Sequence, residues 1–420
     1  MKKINLSAGT FLAIISFSIA GSVIYELPYI RNVYYDKFVE AFGMTNAQVG
    51  FLMSAYAVGC LLLYIPGGIL ADKFSTKKML VLSLMGTGAL GIVMALSMNY
   101  VTALIAFFLF AVTTSFVFWA ALNKGLRIIG GKEDSGSTYG WYYALGSVIS
   151  LVCGLGFWAL YTSTENSHDA MFRTIMAMSI AVIVSGVLVQ ITFKEENTSL
   201  AQTAEEDKFR LSDVGKAIKN PYLWWASIIM FLIYTIYSNV SYFTPYLSSQ
   251  VGMDVSDSSF LGIIRGYVFY FLSPVGGYIA DKLLKSTLRL YGYGFIGLAV
   301  LFFAATRVPA GEDSVVIAIV ISLLASAFAM MLYGVMWSIL NEIDIPISYA
   351  ATAIGISSMV IYLPDLFVPA MIGSWLDNYG EEAGYFRMFI FFGICCMLAV
   401  VLSLTLAERV KMMKAAKEIK

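Results

Sequence analysis

Three ionisable side chains, Glu26, Arg265 and Asp365, stand inside long apolar stretches of the sequence. A charge at such depth costs at least about 2.5 to 3.5 kcal/mol on insertion scales, so it normally faces water or a partner. A guanidinium is a permanently charged, forked donor suited to a carboxylate or phosphate, which makes Arg265, with Tyr267 and Tyr270 following it, a candidate contact for an anionic substrate. Its alternative role is a fixed ion pair with Asp365 that only holds helices together. Asp365 continues a stripe with Ser358 and Tyr362 at i, i+4 and i+7. A desolvated carboxylate there can titrate and carry a proton; the plainer role is counter-ion to Arg265. Glu26 lies between Tyr25 and Pro28, near Tyr29, and extends a stripe from Ser18 and Ser22. It is a second candidate proton site or a binder of a cationic group, and equally a glutamate that hydrogen-bonds a neighbouring tyrosine. Arg31, nearer the helix end, is expected to snorkel to the interface. Tyr29, Tyr143, Tyr234, Ser238 and Tyr362 complete the candidate substrate contacts. Each tyrosine offers a ring for a carbon skeleton and a hydroxyl for polar atoms, although rings at helical spacing also serve plain packing.

The elements that must hold these groups follow from composition. Of 420 residues 59% are hydrophobic and 13% charged, and the mean hydropathy is +0.78, far from the roughly 25% charge of a soluble domain. The 27 basic and 27 acidic residues balance, which excludes a nucleic-acid partner. Cys60, Cys153, Cys395 and Cys396 lie in apolar stretches without metal-ligand spacing, and the single His168 falls in a polar loop. No catalytic nucleophile with a base, no cofactor motif and no Walker motif is present. Twelve blocks meet the length of about 20 residues a membrane helix needs: 8–33, 47–71, 78–98, 101–126, 137–162, 171–193, 221–247, 257–280, 287–306, 314–341, 347–374 and 384–407. The first, although preceded by Lys2 and Lys3, ends in no clear cleavage site and is read as a span. On these boundaries Glu26, Arg265 and Asp365 share a depth about 10 to 14 Å from the outer ends of their helices.

Of the 27 basic residues, 21 fall in the loops of one parity and the two termini, which predicts both termini on the cytoplasmic side. The polar stretch 194–220 divides the chain into a six-span bundle 1–193 and a second bundle 221–408, followed by a basic tail 409–420. The halves are related. Residues 43–73 shifted by 209 positions give ten identities in 31, among them Gly43-Met44 with Gly252-Met253 and Ala71-Asp72-Lys73 with Ala280-Asp281-Lys282. Trp119 to Lys124 likewise echoes Trp337 to Glu342. Two parallel repeats of six helices describe a two-halved transporter.

The loop Gly68-Ile-Leu-Ala-Asp72-Lys73-Phe-Ser75-Thr76-Lys77 resembles the G-x-x-x-D-[RK]-x-G-[RK]-[RK] signature of the major facilitator superfamily, with Ser75 in place of the loop glycine and Thr76 in place of a basic residue. The Tyr362-Leu363-Pro364-Asp365 stretch is similar to poorly characterised bacterial members. The resemblance implies an all-α polytopic membrane protein of two six-helix bundles, with Asp72 in a cytoplasmic gate. Lys73 and Asp281 belong to the same loop pair. Asn123-Lys124 and Asn341-Glu342 form a charge-inverted echo whose Lys124 and Glu342 are expected to pair across that gate, reinforced by Arg127 and Asp344 one turn on, unless Lys124 and Arg127 merely reach lipid and Glu342 caps span eleven. The expected function is alternating-access transport of a small polar solute, anionic and proton-coupled, by a monomer in the bacterial inner membrane. Rivals are efflux or facilitated diffusion of a neutral metabolite and a non-transporting sensor. Span four lacks the R-x-x-x-G, and span five the proline, of many drug exporters, which argues against multidrug efflux.

Overall fold

A computed structural model describes residues 8–130, 135–194, 215, 217–345 and 350–418; the side chains of 64–73, of Arg127 and of a few helix-end residues fall outside the description. Among the described residues every regular element is helical, as lipid demands of a chain whose backbone polar groups must all be satisfied internally. Among the described residues ten helices are long and apolar enough to cross a membrane. The last, Thr352–Ala415, is broken at Gly380 (φ 77°, ψ 173°) into spans eleven and twelve. The shorter apolar Gly9–Val23 supplies the first half of span one and brings the spans to twelve.

The starts of these helices are written in single polar residues. Asn99, Asn166, Asn220, Asp254 and Ser286 each accept a hydrogen bond from a backbone N–H of the following first turn, satisfying donors that lipid would leave bare. The repeated Gly-Met pair has a backbone cause: Gly43 (φ 59°) and Gly252 (φ 82°) both adopt the left-handed conformation that closes the element before them.

The chain divides into two compact units, Met1–Gln202 and Thr203–Lys420. Within the first, span three packs along span six, with Gly88 against Ile183 and Gly186 against Leu84. Ile14, Phe17, Leu84, Phe118 and Val189 fill its core. Span one packs on span five through Ser18 and Ser22, whose hydroxyls donate to the carbonyls of Tyr142 (3.2 Å) and Gly146 (2.9 Å). The serine stripe therefore joins two helices. The second unit repeats the scheme, with span nine against span twelve at Gly292 and Leu404 and at Phe303 and Gly393.

Span one is longer than expected and is broken. Its first helix, Ala8–Val23, gives way to a run of turns over 24–30 and restarts as Arg31–Phe42. Pro28 has no N–H to continue the ladder, and the Glu26 N–H reaches only back to Val23 (3.2 Å). Arg31 is consequently buried (3% exposed), not snorkelling at the interface. Lys37 is buried too, donating to the carbonyls of Tyr161 (3.2 Å) and Thr164 (2.7 Å) at the end of span five, where a cation complements the helix dipole. Within the second unit Arg265 lies in the first third of Val255–Leu284, and Asp365 in the first turn of the helix that starts at Pro364.

Gly276 shows where two backbones meet. A Cβ there would stand 2.7 Å from the carbonyl oxygen of Met331 in span ten, whereas one at Gly277 would find only Val335 at 4.0 Å. Gly276→Val is expected to destabilise the purified protein by about 1–3 kcal/mol in detergent-unfolding measurements, as overpacking generally does, while Gly277→Ala stays near wild type. Equal stability of the two variants would refute the contact.

Candidate functional site

Most of the expected chemistry gathers in the second unit, at breaks in its helices. Span seven is regular over Pro221–Asn239 and then passes through a 3-10 turn, Val240–Tyr242, and a π turn, Tyr246–Gln250. Span eight changes to a π turn at Ile264–Val268 and a 3-10 turn at Phe269–Leu272. Such turns frequently mark functional positions. Arg265 sits in the π turn, 4% exposed, and its Nη2 donates to Thr244 Oγ1 (2.5 Å). Its Nε and Nη1 have no hydrogen-bond partner. Among the described residues it forms no ion pair, so the fixed pairing with Asp365 does not exist. Asn239, fully buried where span seven loses regularity, donates to Thr235 O and Ser238 Oγ, while its Oδ1 is likewise unpartnered.

Asp365 follows from a proline. Pro364 ends the helix Ala350–Ile361, the chain turns at Tyr362 and Leu363, and a new helix starts with Asp365 in its first turn. The carboxylate Oδ2 accepts from Tyr234 OH (2.6 Å). Tyr234 in turn meets Tyr362 edge to face, centroids 4.8 Å apart at 87°. The sequence thus named three members of one cluster from two spans. It missed two more. Tyr237 and Tyr333 stack in parallel at 3.7 Å and 4°, and the Tyr237 and Tyr270 hydroxyls are hydrogen-bonded at 2.8 Å. The available signal for Tyr237 was its place one turn beyond Tyr234; for Tyr333, its place one turn before the repeated Trp337. Ser358, by contrast, returns its hydroxyl to Ile354 O within its own helix.

In the first unit Glu26 is buried (8% exposed) inside the span-one break. Tyr25, Tyr29, Tyr56 and Phe118 form a chain of ring contacts beside it, with centroids 5.7 to 6.5 Å apart. Tyr56 hydrogen-bonds Thr114 (2.9 Å) in the π turn Val112–Phe118 of span four. Tyr143 stands apart from this cluster, 56% exposed on span five and stacked with Tyr139, whose hydroxyl donates to Asn123.

Of the residues expected at the gate, the side chains of Asp72, Lys73 and Arg127 lie outside the described residues. Asp281 is exposed. Glu342 does not cap span eleven: its carboxylate accepts from Ser286 Oγ (2.5 Å) and the Leu288 N–H (2.9 Å), capping span nine. Lys124, half-buried, belongs to the other unit. Among the described residues no His, Cys, Asp or Glu cluster could hold a metal ion.

Comparison with known proteins accounts for this architecture. Inner membrane protein YqcE of Escherichia coli (strain K12) is 29% identical over 406 residues, 95% of each chain. The hexuronate transporter of Bacillus subtilis (strain 168) is 21% identical over 377 residues, 85% of this chain and 86% of that one. Among solved structures, a bacterial homolog to the human lysosomal transporter Spinster, inward-facing and unoccupied, aligns with a TM-score of 0.75 at 14% identity, covering 96% of this chain and 98% of its own, a likeness of fold. The Major Facilitator Superfamily model matches residues 6–369, from the start of span one into span eleven. With these spans among its described residues, two compact units and a family match over most of its length, the chain belongs to the Major Facilitator Superfamily of multi-pass membrane transporters.

Proposed function

We propose that this transporter carries a small polar organic solute with an anionic group, coupled to protons, by alternating access of bundles 1–193 and 221–408 joined by the linker 194–220. One observation carries the reading: Arg265 is buried, permanently charged and unpaired, with two of its three nitrogens lacking any partner. Leaving a charge so placed costs several kcal/mol, and a substrate carboxylate or phosphate would offset that cost through the fork. The hexuronate transporter among its relatives fits an anionic cargo. Asp365 and Glu26 are the proton carriers, each a buried carboxylate at a helix break. Tyr29, Tyr143, Tyr234, Ser238 and Tyr362 contact the solute. The protein works as a monomer in the bacterial inner membrane with both termini and the basic tail 409–420 in the cytoplasm, as the placement of 21 of 27 basic residues supports.

Reconstituted protein should take up labelled D-glucuronate. Arg265→Lys, which keeps the charge and loses the fork, is expected to lower kcat/KM at least about tenfold. Unchanged uptake in that variant would overturn the assignment. An inward proton gradient should raise accumulation in the wild type. Asp365→Asn or Glu26→Gln should abolish that response while leaving counterflow without a gradient. A gradient response intact in both variants would exclude proton carriage by these groups.

The cytoplasmic gate is assigned to Lys124 and Glu342, with Asp72, Lys73, Arg127 and Asp281 around them. Lys124→Glu and Glu342→Lys should each slow uptake, and the double swap should restore it; melting temperatures separate loss of the span-nine cap from loss of the gate. Double-swap protein that is folded yet as slow as either single variant would reject the pairing.

A further inference from the structure

We infer that the second unit takes a hydroxylated monocarboxylate of about six carbons, a sugar acid held lengthwise between Arg265 and the tyrosine cluster. The inference rests on Arg265 as the contact for the substrate's anion and adds what lies at the other end. Charge sets the first limit. Among the described residues Arg265 is the only buried cation of this unit, so it matches one negative charge. A second anionic end would lie beside the carboxylate of Asp365 and meet no cation there.

Geometry sets the length. Spans seven and eight are cross-linked twice, at Thr244 with Arg265 and at Tyr237 with Tyr270. The two links are five residues apart on span eight and seven on span seven, about 7 to 10 Å at 1.5 Å per residue. An extended six-carbon chain with a hydrogen bond at each end fits that separation, and a two- or three-carbon acid does not.

Chemistry sets the body of the ligand. A phenol hydroxyl both donates and accepts, and the Tyr237, Tyr270 and Tyr234 hydroxyls together with Asp365 make a far end rich in hydrogen-bonding capacity. The rings keep surface open for C–H contact: Tyr270 is 44% exposed, and Tyr237, Tyr333 and Tyr362 are half-buried. The parallel Tyr237–Tyr333 stack fixes one hydroxyl in place. These groups already bond one another, Tyr237 with Tyr270 and Tyr234 with Asp365. A phenol oxygen that takes part in one hydrogen bond can accept a further one, so a hydroxylated cargo gains bonds there that an aliphatic chain does not.

The test measures binding, by thermal shift of the purified full-length protein, with five probes: D-glucuronate, hexanoate, adipate, lactate and D-glucose. D-Glucuronate should bind at least about tenfold more tightly than any of the others. Tyr237→Phe should erase most of its advantage over hexanoate without lowering hexanoate binding. Hexanoate, adipate or lactate binding as tightly as D-glucuronate would overturn the sugar-acid assignment while leaving an anion carrier standing. If no anion stabilises the folded protein, or if Arg265→Gln binds D-glucuronate as well as wild type, both the assignment and the anion reading beneath it fall.

Discussion

A backbone amide inside a bilayer has no water to bond, and that constraint governs where this chain can do chemistry. Regular helix satisfies every N–H and C=O internally and offers a ligand only side chains. Each break in the ladder leaves groups that must be satisfied by protein or by cargo. The side chains proposed for the site lie on such breaks. Glu26 falls in the turns at Pro28, Arg265 in a π turn, Asp365 just beyond Pro364, and Asn239 where span seven loses regularity. Around them the helices stay regular and are joined by serine hydroxyls donating to neighbouring carbonyls, as between spans one and five.

The architecture was legible in the sequence because its signals are local. Apolar blocks and the repeated Gly-Met pairs each act within a few residues, and the helices follow them. Arg265 and Asp365 were legible for the same reason, since a charge in an apolar run is conspicuous wherever it ends up. Their partners were not. That Thr244 would meet Arg265, or Tyr237 meet Tyr270, depends on the register between spans seven and eight, which is set by packing and leaves no mark on either helix alone.

Span one shows the opposite failure. Arg31, Asn32, Asp36 and Lys37 give 31–42 the composition of a loop, yet it is helix and two of these side chains, Arg31 and Lys37, are buried. The missing information was three-dimensional: the last carbonyls of span five and of the loop after it accept from the Lys37 ammonium, converting an apparent surface charge into a cap on a neighbouring helix. Glu342 is a similar case, a polar residue at a span end whose purpose is to close a different helix. Sequence position told which residues were costly to bury, and tertiary structure told what offset the cost.

The solitary charge of Arg265 also has an electrical side. Each uncompensated elementary charge moved across a membrane potential does work of about 2.3 kcal/mol per 100 mV. In the proposed cycle one proton on Asp365 or Glu26 accompanies each cargo anion on Arg265, so loading adds no net charge and the loaded and empty carriers feel the membrane field alike. A carrier that took up the anion without the proton would be driven by the potential on one half of its cycle only.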